Sequence, residues 1–377
     1  MKILHCSDLH FGQTFFGYDR SDEHRHLLDF IADTVASEKP DILIIAGDIF
    51  DGPQPSASLQ RLTVEGLLRI KNANPDMRLI AIAGNHDSGA GHEAHKALWS
   101  ALGCDMIGSI HKKADIKDFI IKISNVGTIC ALPFSSPRNM PDNVFRRLYE
   151  AADEVTDEHL PIILTAHLTV RDCDFSGHDI SIGGVDAVNA DTLLDEFDYV
   201  ALGHIHRPQT LTSARRVRYS GAPVAVSFDE RYPHSISLVT IDSRSASPVI
   251  EEIPIEPLHP LVSLPSHHLS PSAAMAALED FEADKCCYIR LMVKTDSYLP
   301  AGLIESAREI CKAKQQRFCL VHTSAEKSKE KRERSSMSVT EFLESTPLSI
   351  AKRYFDDKGL SFDSDLETLF DEIAVNK

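Results

Sequence analysis

The sequence predicts a layered α/β fold, because short apolar runs alternate with stretches of helical periodicity. Residues 41–46 (DILIIA) and 199–202 (YVAL) are runs of this kind, and such runs are typical of strands buried on both faces. The stretches 23–37 and 56–72 have the apolar spacing of amphipathic helices. Strands that alternate with helices in this way indicate packed layers around a common core.

Polar motifs follow five predicted strands, at residues 2–6, 41–46, 78–83, 161–165 and 199–202. Each motif consists of residues that bind metal ions or transfer protons. Because ligands of α/β sheets gather beyond the carboxyl ends of the strands, the five strand ends are expected to meet at one cleft. In chain order the motifs are Asp8-Leu9-His10, Gly47-Asp48-Ile49-Phe50-Asp51, Gly84-Asn85-His86-Asp87, Ala166-His167 and Gly203-His204-Ile205-His206.

The motifs contain seven oxygen and nitrogen donors, namely Asp8, His10, Asp48, Asn85, His167, His204 and His206. One ion cannot use seven such groups, whereas two adjacent ions can if a carboxylate bridges them. This mixture of donors suits manganese, iron or zinc better than calcium. A single motif of this kind is more often chance or a satisfied buried polar residue, but five in order favour a metal centre. Gly47, Gly84 and Gly203 precede ligand residues and are expected to permit tight turns there.

The order of the motifs resembles that of the calcineurin-type metallophosphoesterase superfamily, over about residues 1–240. Further strings are similar to the SbcD-type exonuclease subunits of bacteria: 203–209 (GHIHRPQ), 219–223 (YSGAP) and 227–230 (SFDE). Ala166 departs from the pattern, since many relatives have glycine there. The resemblance implies a layered β-sandwich flanked by helices, followed by a small α/β capping domain and C-terminal helices.

The resemblance also implies two divalent metal ions, with manganese as the expected metal. Two such ions can hold the attacking and leaving oxygens of a displacement at phosphorus and generate a hydroxide nucleophile. Asp48 would be the bridging ligand. By resemblance, Asp8, His10, Asp48 and His206 hold one ion, and Asp48, Asn85, His167 and His204 hold the other.

His86 is expected to act on the substrate rather than on a metal, because its neighbour Asn85 already supplies a ligand. It would stabilise charge on the phosphate or protonate the leaving oxygen. Asp51 is the expected partner that orients its imidazole. Asp87 and Arg207 are further candidates for bracing the site or positioning substrate. The alternative is that His86 and Asp51 only brace the ligand loops.

The chain divides into three predicted units. Residues 1–255 form the nuclease domain, and the prolines at 254, 257, 260 and 265 predict a linker or extended crossing after it. Residues 256–325 form a small α/β capping domain, with helices at 271–283 and 300–315 and strands at 287–294 and 317–322. Residues 326–377 form a charged linker and an amphipathic helical tail.

The tail is expected to dock on another protein by a helix-in-groove mode, and folding back on the core is the alternative. By resemblance, the partner is an SbcC-type coiled-coil ATPase. The run 326–334 (EKSKEKRER) is interpreted as a solvated linker in preference to a DNA-binding arm. Since the chain has no nucleotide-binding P-loop motif, any ATP dependence would come from that partner.

The net charge of −17, from 39 basic and 56 acidic residues, is unusual for a protein that binds nucleic acid. A partner could supply the phosphate contacts, or arginines could cluster near the cleft, although a solvated face is an equal interpretation. The arginines concerned are Arg20, Arg25, Arg207, Arg215, Arg216 and Arg218.

The eight cysteines form no C-x-x-C pair, which argues against a structural zinc site and favours reduced thiols. No apolar run approaches the roughly 20 residues of a membrane helix, and no signal segment opens the sequence, so no membrane contact and a cytoplasmic location are expected.

The favoured function is a metal-dependent DNA nuclease that acts on duplex ends as an exonuclease and on hairpins or single strands as an endonuclease. It would be the catalytic subunit of an SbcC–SbcD-type repair complex, present as a homodimer within a heterotetramer. The alternative enzyme is a metallophosphoesterase acting on small nucleotides or phosphoproteins. A scaffold without activity is less favoured, because scaffolds usually lose ligand positions and here all seven donors and His86 are present.

Overall fold

The computed structural model describes residues 1–324, apart from 95, 137, 172, 177–186, 194–195, 213 and 296–297, together with residue 352. The described strands form two six-stranded sheets and one three-stranded sheet. In chain order the elements are β1 (Lys2–Cys6), α1 (Ser21–Glu38), β2 (Ile42–Ala46), α2 (Ala57–Ala73), β3 (Arg78–Ile82), α3 (Gly89–Glu93), α4 (Lys96–Ala101), β4 (Cys104–Ile107), β5 (Ile120–Ile123), β6 (Gly127–Leu132), α5 (Val144–Asp153), β7 (Ile162–His167), β8 (Tyr199–Gly203), β9 (Gln209–Thr210), β10 (Val217–Tyr219), β11 (Ser235–Thr240), β12 (Val249–Pro254), β13 (Leu261–Leu269), α6 (Pro271–Glu279), β14 (Tyr288–Lys294), α7 (Leu303–Ala313) and β15 (Arg317–Ser324), with short 3-10 helices at Ile116–Phe119 and Ala190–Leu193.

The first sheet has the order β12-β11-β1-β2-β3-β4, and its four strands β1 to β4 run parallel. Strand β2 shows why the sequence is apolar at every position. Ile42 and Ile44 pack into the core between the two large sheets, whereas Leu43 and Ile45 pack against α1 and α2 on the other face. Because successive side chains of a strand point to opposite faces, a strand covered on both sides must be apolar throughout.

The second sheet has the order β5-β6-β7-β8-β10-β9 and faces the first across a shared core. Its central strands β6, β7, β8 and β10 are parallel. Helix α5 covers part of the outer face, where Leu148 is fully buried. The predicted layered α/β architecture is confirmed. Helices α1 and α2 lie within two residues of their predicted positions.

The third sheet, which we call the capping sheet, consists of β13, β14 and β15 in parallel. Ile289 and Leu291 of β14 pack against α6 and α7, whereas Tyr288 on the opposite face packs against Phe15 and Phe228, which lie within residues 1–255. Of the two predictions for the four prolines, a linker or an extended crossing, the linker is wrong in its second half, because the extended strand β13 occupies it. An edge strand such as β13 tolerates Pro265, since one side of it needs no backbone donors.

No helix among the described residues is both long and apolar enough to span a membrane. All eight cysteines are free thiols. The predicted charged linker and helical tail, 326–377, lie outside the described residues except for residue 352.

Candidate metal centre

The five motifs meet at one end of the sandwich, with three motifs from one sheet and two from the other. Asp8, Asp48 and Asn85 follow β1, β2 and β3 of the first sheet, while His167 ends β7 and His204 follows β8 of the second. The strands that carry these residues are parallel within each sheet. The cleft is therefore formed between the sheets, rather than along the edge of one.

One group of donors consists of Asp8, His10 and His206, whose ligand atoms all lie within 4.8 Å of one another. The Nε2 atoms of His10 and His206 are 3.2 Å apart. Asp8 is held in place because its carboxylate accepts hydrogen bonds from the Ser7 hydroxyl at 2.5 Å and from the His204 backbone N–H at 2.9 Å. Two imidazole nitrogens this close to a carboxylate fit a shared cation.

A second group surrounds the Asn85 side chain. Its Oδ1 lies 2.9 Å from His167 Nε2 and 3.0 Å from His204 Nδ1. Asp48 lies between the groups, because its Oδ2 is 3.3 Å from His167 Nε2 and 3.9 Å from His10 Nε2. Its other oxygen, Oδ1, accepts a hydrogen bond from the His86 backbone N–H at 2.8 Å. Asp48 is therefore the carboxylate placed to serve both groups.

Charge interactions in the metal-free protein link Asp48 and His167. Burial alone would raise the pKa of Asp48, but the His167 imidazole lowers that pKa below its usual value. Burial alone would lower the pKa of His167, but Asp48 raises it to about 9. A divalent cation would replace the proton that His167 otherwise carries, which is how metal affinity becomes dependent on pH.

Backbone conformation is unusual at four of the predicted ligands. Asp8, His10, Asp48 and His204 have φ values of 54°, 46°, 51° and 96°. Residues other than glycine adopt positive φ rarely, at a cost of about 1–3 kcal/mol each, and such strain concentrates at functional sites. The surrounding packing must offset this cost in order to aim the side chains into the cleft.

At the motifs, glycine more often allows neighbouring atoms to approach the backbone closely than it allows a tight turn. Gly47 has φ +92°, as a turn requires. Gly84 and Gly203 do not have positive φ, so the predicted turn explanation is wrong for them. A Cβ on Gly84 would lie 2.6 Å from Asp48 Cγ, so glycine is needed there to make room for that carboxylate.

Two predicted ligands are oriented through their second ring nitrogen. His206 Nδ1 lies 2.8 Å from Glu230 Oε1, and His167 Nδ1 lies 2.8 Å from the Ala46 carbonyl oxygen. Burial opposes protonation of His206, but its hydrogen bond to Glu230 raises the pKa. Such partners fix the tautomer, and the opposite nitrogen of each ring faces the other donors, as in metal-binding imidazoles. Glu230 was not among the predicted site residues, although the string 227–230 contains it.

His86 and Asp51 lie together at the rim of the cleft. The contact that orients His86 comes from the Asp51 main chain, since His86 Nδ1 is 3.0 Å from the Asp51 carbonyl oxygen. The Asp51 carboxylate instead lies 3.4 Å from His10 Nδ1. A nitrogen of His86 also lies within 4.8 Å of donors of His10 and Asp48.

Asp87 braces the motif loops. Its carboxylate accepts hydrogen bonds from the backbone N–H groups of Ile49, Phe50 and Gly84, at 2.9 to 3.1 Å. It thereby ties the loop after β3 to the loop after β2, and it makes these contacts without pointing into the donor groups.

The expected cluster of arginines near the cleft is wrong for two of them. Arg20 and Arg218 are 2% and 3% exposed. Both guanidinium groups are bound to other protein groups, Arg20 to Glu23 and Arg218 to Ser237 and Glu252, so neither is presented to DNA. Arg207 forms an ion pair with Asp174, and its guanidinium carbon lies 5.7 Å from the Tyr232 ring centroid. Arg25 and Arg215 are exposed.

One cavity adjoins the second donor group, and another lies beside Asp51. A cavity of about 640 Å³ is lined by His167, His204 and residues that include Phe134 and Asn143. A second, of about 520 Å³, is lined by residues that include Asp51 and Arg25. Volumes of this order are typical of ligand sites, and the first cavity reaches the donors His167 and His204.

The family model for calcineurin-like phosphoesterases matches residues 1–208, which contain every predicted ligand. The chain belongs to the calcineurin-like phosphoesterase family. Curated relatives include the SbcD subunit of the SbcCD nuclease of Rhodobacter capsulatus, which is 32% identical over 314 residues that cover 74% of this chain and 75% of the relative. The protein of the same name from Escherichia coli K12 is 29% identical over 326 residues, 79% of each chain. That of Bacillus subtilis is 30% identical over 262 residues, 63% of this chain and 66% of the relative.

These relatives place this phosphoesterase among the SbcD-type subunits, so the resemblance predicted from the motifs is confirmed. The alignments with these relatives cover more residues than the family model does, so they include part of the chain after residue 208. The capping sheet also lies after residue 208.

Proposed function

We propose that this phosphoesterase is the metal-dependent DNA nuclease subunit of an SbcCD-type complex and hydrolyses phosphodiester bonds. The observation that carries the proposal is the pair of donor groups that share Asp48. Relatives named as nuclease subunits over about three quarters of both chains support DNA as the substrate.

The proposed ligands of one ion are Asp8, His10, Asp48 and His206, and those of the other are Asp48, Asn85, His167 and His204. The donor set fits divalent metals of the manganese type, because it combines carboxylate, imidazole and amide groups. When bound, two such ions supply an activated hydroxide and neutralise charge on the phosphoryl oxygens. The proposed ligands would hold the ions in the positions set by their strained backbone and by the hydrogen-bond partners of His206 and His167.

His86 is the proposed catalytic residue. Its imidazole is oriented by the Asp51 carbonyl and stands at right angles to the His10 ring, with ring centroids 4.9 Å apart. With Nδ1 donating to that carbonyl, Nε2 is available to a phosphate oxygen at the rim. Stabilising charge there, or passing a proton to the leaving oxygen, contributes roughly 10²- to 10⁴-fold to such reactions.

The proposed role of His86 is tested with His86→Ala, alongside His167→Ala and the exposed control His26→Ala. Metal content is measured by mass spectrometry, and cleavage is measured on labelled duplex DNA, a DNA hairpin and a small phosphodiester. His86→Ala should retain both metals and lose about 100-fold or more in turnover, whereas His167→Ala should lose metal as well. Loss of metal from His86→Ala would make His86 a ligand.

The same assay separates the alternative function. A small-nucleotide or phosphoprotein phosphoesterase would cleave the small phosphodiester and leave duplex DNA intact, even with both metals bound. Cleavage of neither substrate by fully metal-loaded protein would favour a scaffold.

The proposed partner is an SbcC-type coiled-coil ATPase, bound by a homodimer of this chain within a heterotetramer. A partner that supplies phosphate contacts would reconcile DNA cleavage with a net charge of −17. The proposed location is the cytoplasm, where eight free thiols remain reduced. Co-purification should recover the ATPase with the full chain and lose it after removal of residues 336–377. Retention of the ATPase by the shortened chain would place the docking site elsewhere.

A further inference from the structure

The segment 225–230 lies between His206 and the capping sheet. Within it, Glu230 has a fully buried side chain, and its two carboxylate oxygens have different hydrogen-bond partners. Oε1 lies 2.8 Å from His206 Nδ1, while Oε2 accepts a hydrogen bond from the Val226 backbone N–H at 3.0 Å. The carboxylate therefore fixes the imidazole and closes the segment on itself, so a displacement of the segment displaces the ring.

The capping sheet grips this segment through Arg290 of β14, which is 3% exposed. Its Nη1 donates to Asp229 Oδ1 at 2.8 Å and its Nη2 to the Phe228 carbonyl oxygen at 3.2 Å. Its guanidinium carbon also lies 4.9 Å from the Phe228 ring centroid. Three contacts to two consecutive residues tie β14 to the residues that directly precede Glu230.

A second path starts at Tyr288, on the same face of β14. Its hydroxyl donates to Glu23 Oε2 at 2.7 Å. Glu23 is paired with the buried Arg20 through two hydrogen bonds of 2.8 and 2.9 Å. Arg20 Nη1 in turn donates to the Ala225 carbonyl oxygen at 2.8 Å. The capping sheet thus holds the segment at both ends.

We propose that Glu230 is a positioning residue for His206, and that Tyr288 and Arg290 set the position of Glu230. The inference rests on the proposed function, because it assumes that His206 binds a metal ion. A carboxylate on one imidazole nitrogen holds the ring and its tautomer, so the opposite nitrogen presents its lone pair to the metal. A shift of the capping sheet, such as DNA or a partner could impose, then changes metal affinity at the group of His10 and His206 and leaves the other group unchanged.

The test is a titration of the metal-free full chain with Mn²⁺, in which binding is measured by calorimetry and by the electron paramagnetic resonance signal of Mn²⁺. The matched pair of variants is Tyr288→Phe and Tyr18→Phe. Each removes one hydroxyl that joins residues 1–255 to the capping sheet, since Tyr18 donates to the Phe318 carbonyl oxygen at 3.1 Å. Only the Tyr288 hydroxyl leads to the segment 225–230.

Glu230→Gln should weaken Mn²⁺ binding at one of the two sites by about 10- to 100-fold, as loss of such a partner does elsewhere. Tyr288→Phe should weaken the same site by about 2- to 30-fold, and Tyr18→Phe should change it less than about 2-fold. Combined with Glu230→Gln, Tyr288→Phe should add little, because both act through one carboxylate.

Equal effects of the two tyrosine variants, or additive effects of Tyr288→Phe and Glu230→Gln, would overturn the inference. If Glu230→Gln does not fold, the tyrosine pair alone decides. Failure of the proposed function looks different: the wild type would bind Mn²⁺ without cleaving DNA, and the affinities would still test the inference. If the wild type cleaves DNA and every variant binds Mn²⁺ with unchanged affinity, the inference about Glu230 is wrong and the proposed function stands.

Discussion

Gly84→Ala should disable the centre without removing any donor. A Cβ at this position would lie 2.6 Å from Asp48 Cγ and closer still to Asp48 Oδ1 and to the Asp48 backbone nitrogen, whereas ordinary contacts begin at 3.4 Å. The Asp48 carboxylate and backbone must therefore move by about 1 Å, and a displacement of that size in a catalytic arrangement costs on the order of 100-fold in rate. Because Asp48 lies between the two donor groups, the shift should weaken metal binding in both.

The matched control is Gly52→Ala, in the loop after β2 that carries Asp48, because a Cβ there meets nothing within 4 Å. Metal content by mass spectrometry and cleavage of a small phosphodiester would be compared after circular dichroism confirms folding. Gly84→Ala should lose about 100-fold in turnover, and Gly52→Ala should stay within about 3-fold of wild type. Wild-type metal content and turnover in a folded Gly84→Ala protein would refute the assignment of Asp48 as the shared ligand.

Three further outcomes are expected. Burial, aided by the charge of Arg218, lowers the pKa of His5 to about 3. The unfolded chain binds a proton near pH 6.5 that the folded chain does not bind, so the contribution of His5 to the free energy of unfolding falls by about 2 kcal/mol from pH 7.5 to pH 5. Over that range, urea unfolding in the presence of a chelator should therefore show a free energy of unfolding that falls by about 2 kcal/mol more in wild type than in His5→Asn. Arg218→Met should lower the free energy of unfolding by about 1–3 kcal/mol, because Ser237 and Thr210 lose a hydrogen-bond donor. It should leave the salt dependence of DNA binding unchanged. A slope of binding against salt that is lower by about one would instead show that Arg218 contacts a phosphate. Saturating Mn²⁺ at about 100 times its Kd should add about 2.7 kcal/mol of stability per site. Thermal unfolding should show that Asp48→Asn loses the gain of both sites and His206→Ala that of one, whereas equal losses would argue against a bridging Asp48.

The strands of the core were predictable because each is apolar at nearly every position, and burial on both faces leaves no other pattern. The motifs were predictable for a related reason, since a polar string directly after such a strand has to lie at its end. The sequence did not predict β4, β5, β6 or α5, which lie between the third and fourth motifs and carry no motif of their own. It misassigned β13 because prolines indicate linkers, and only pairing with β14 shows that they lie on an edge strand.

Donor identities and their order are local properties of the chain, so the sequence by itself determined the family, the layered fold and the candidate ligands. Orientation depends on residues distant in the chain. Only the tertiary structure could decide that His86 meets the Asp51 main chain, that Arg20 and Arg218 are buried, and that Glu230 stands behind His206. Side chains far apart in the chain come together only when both sheets close on one core, and no spacing in the sequence encodes that approach.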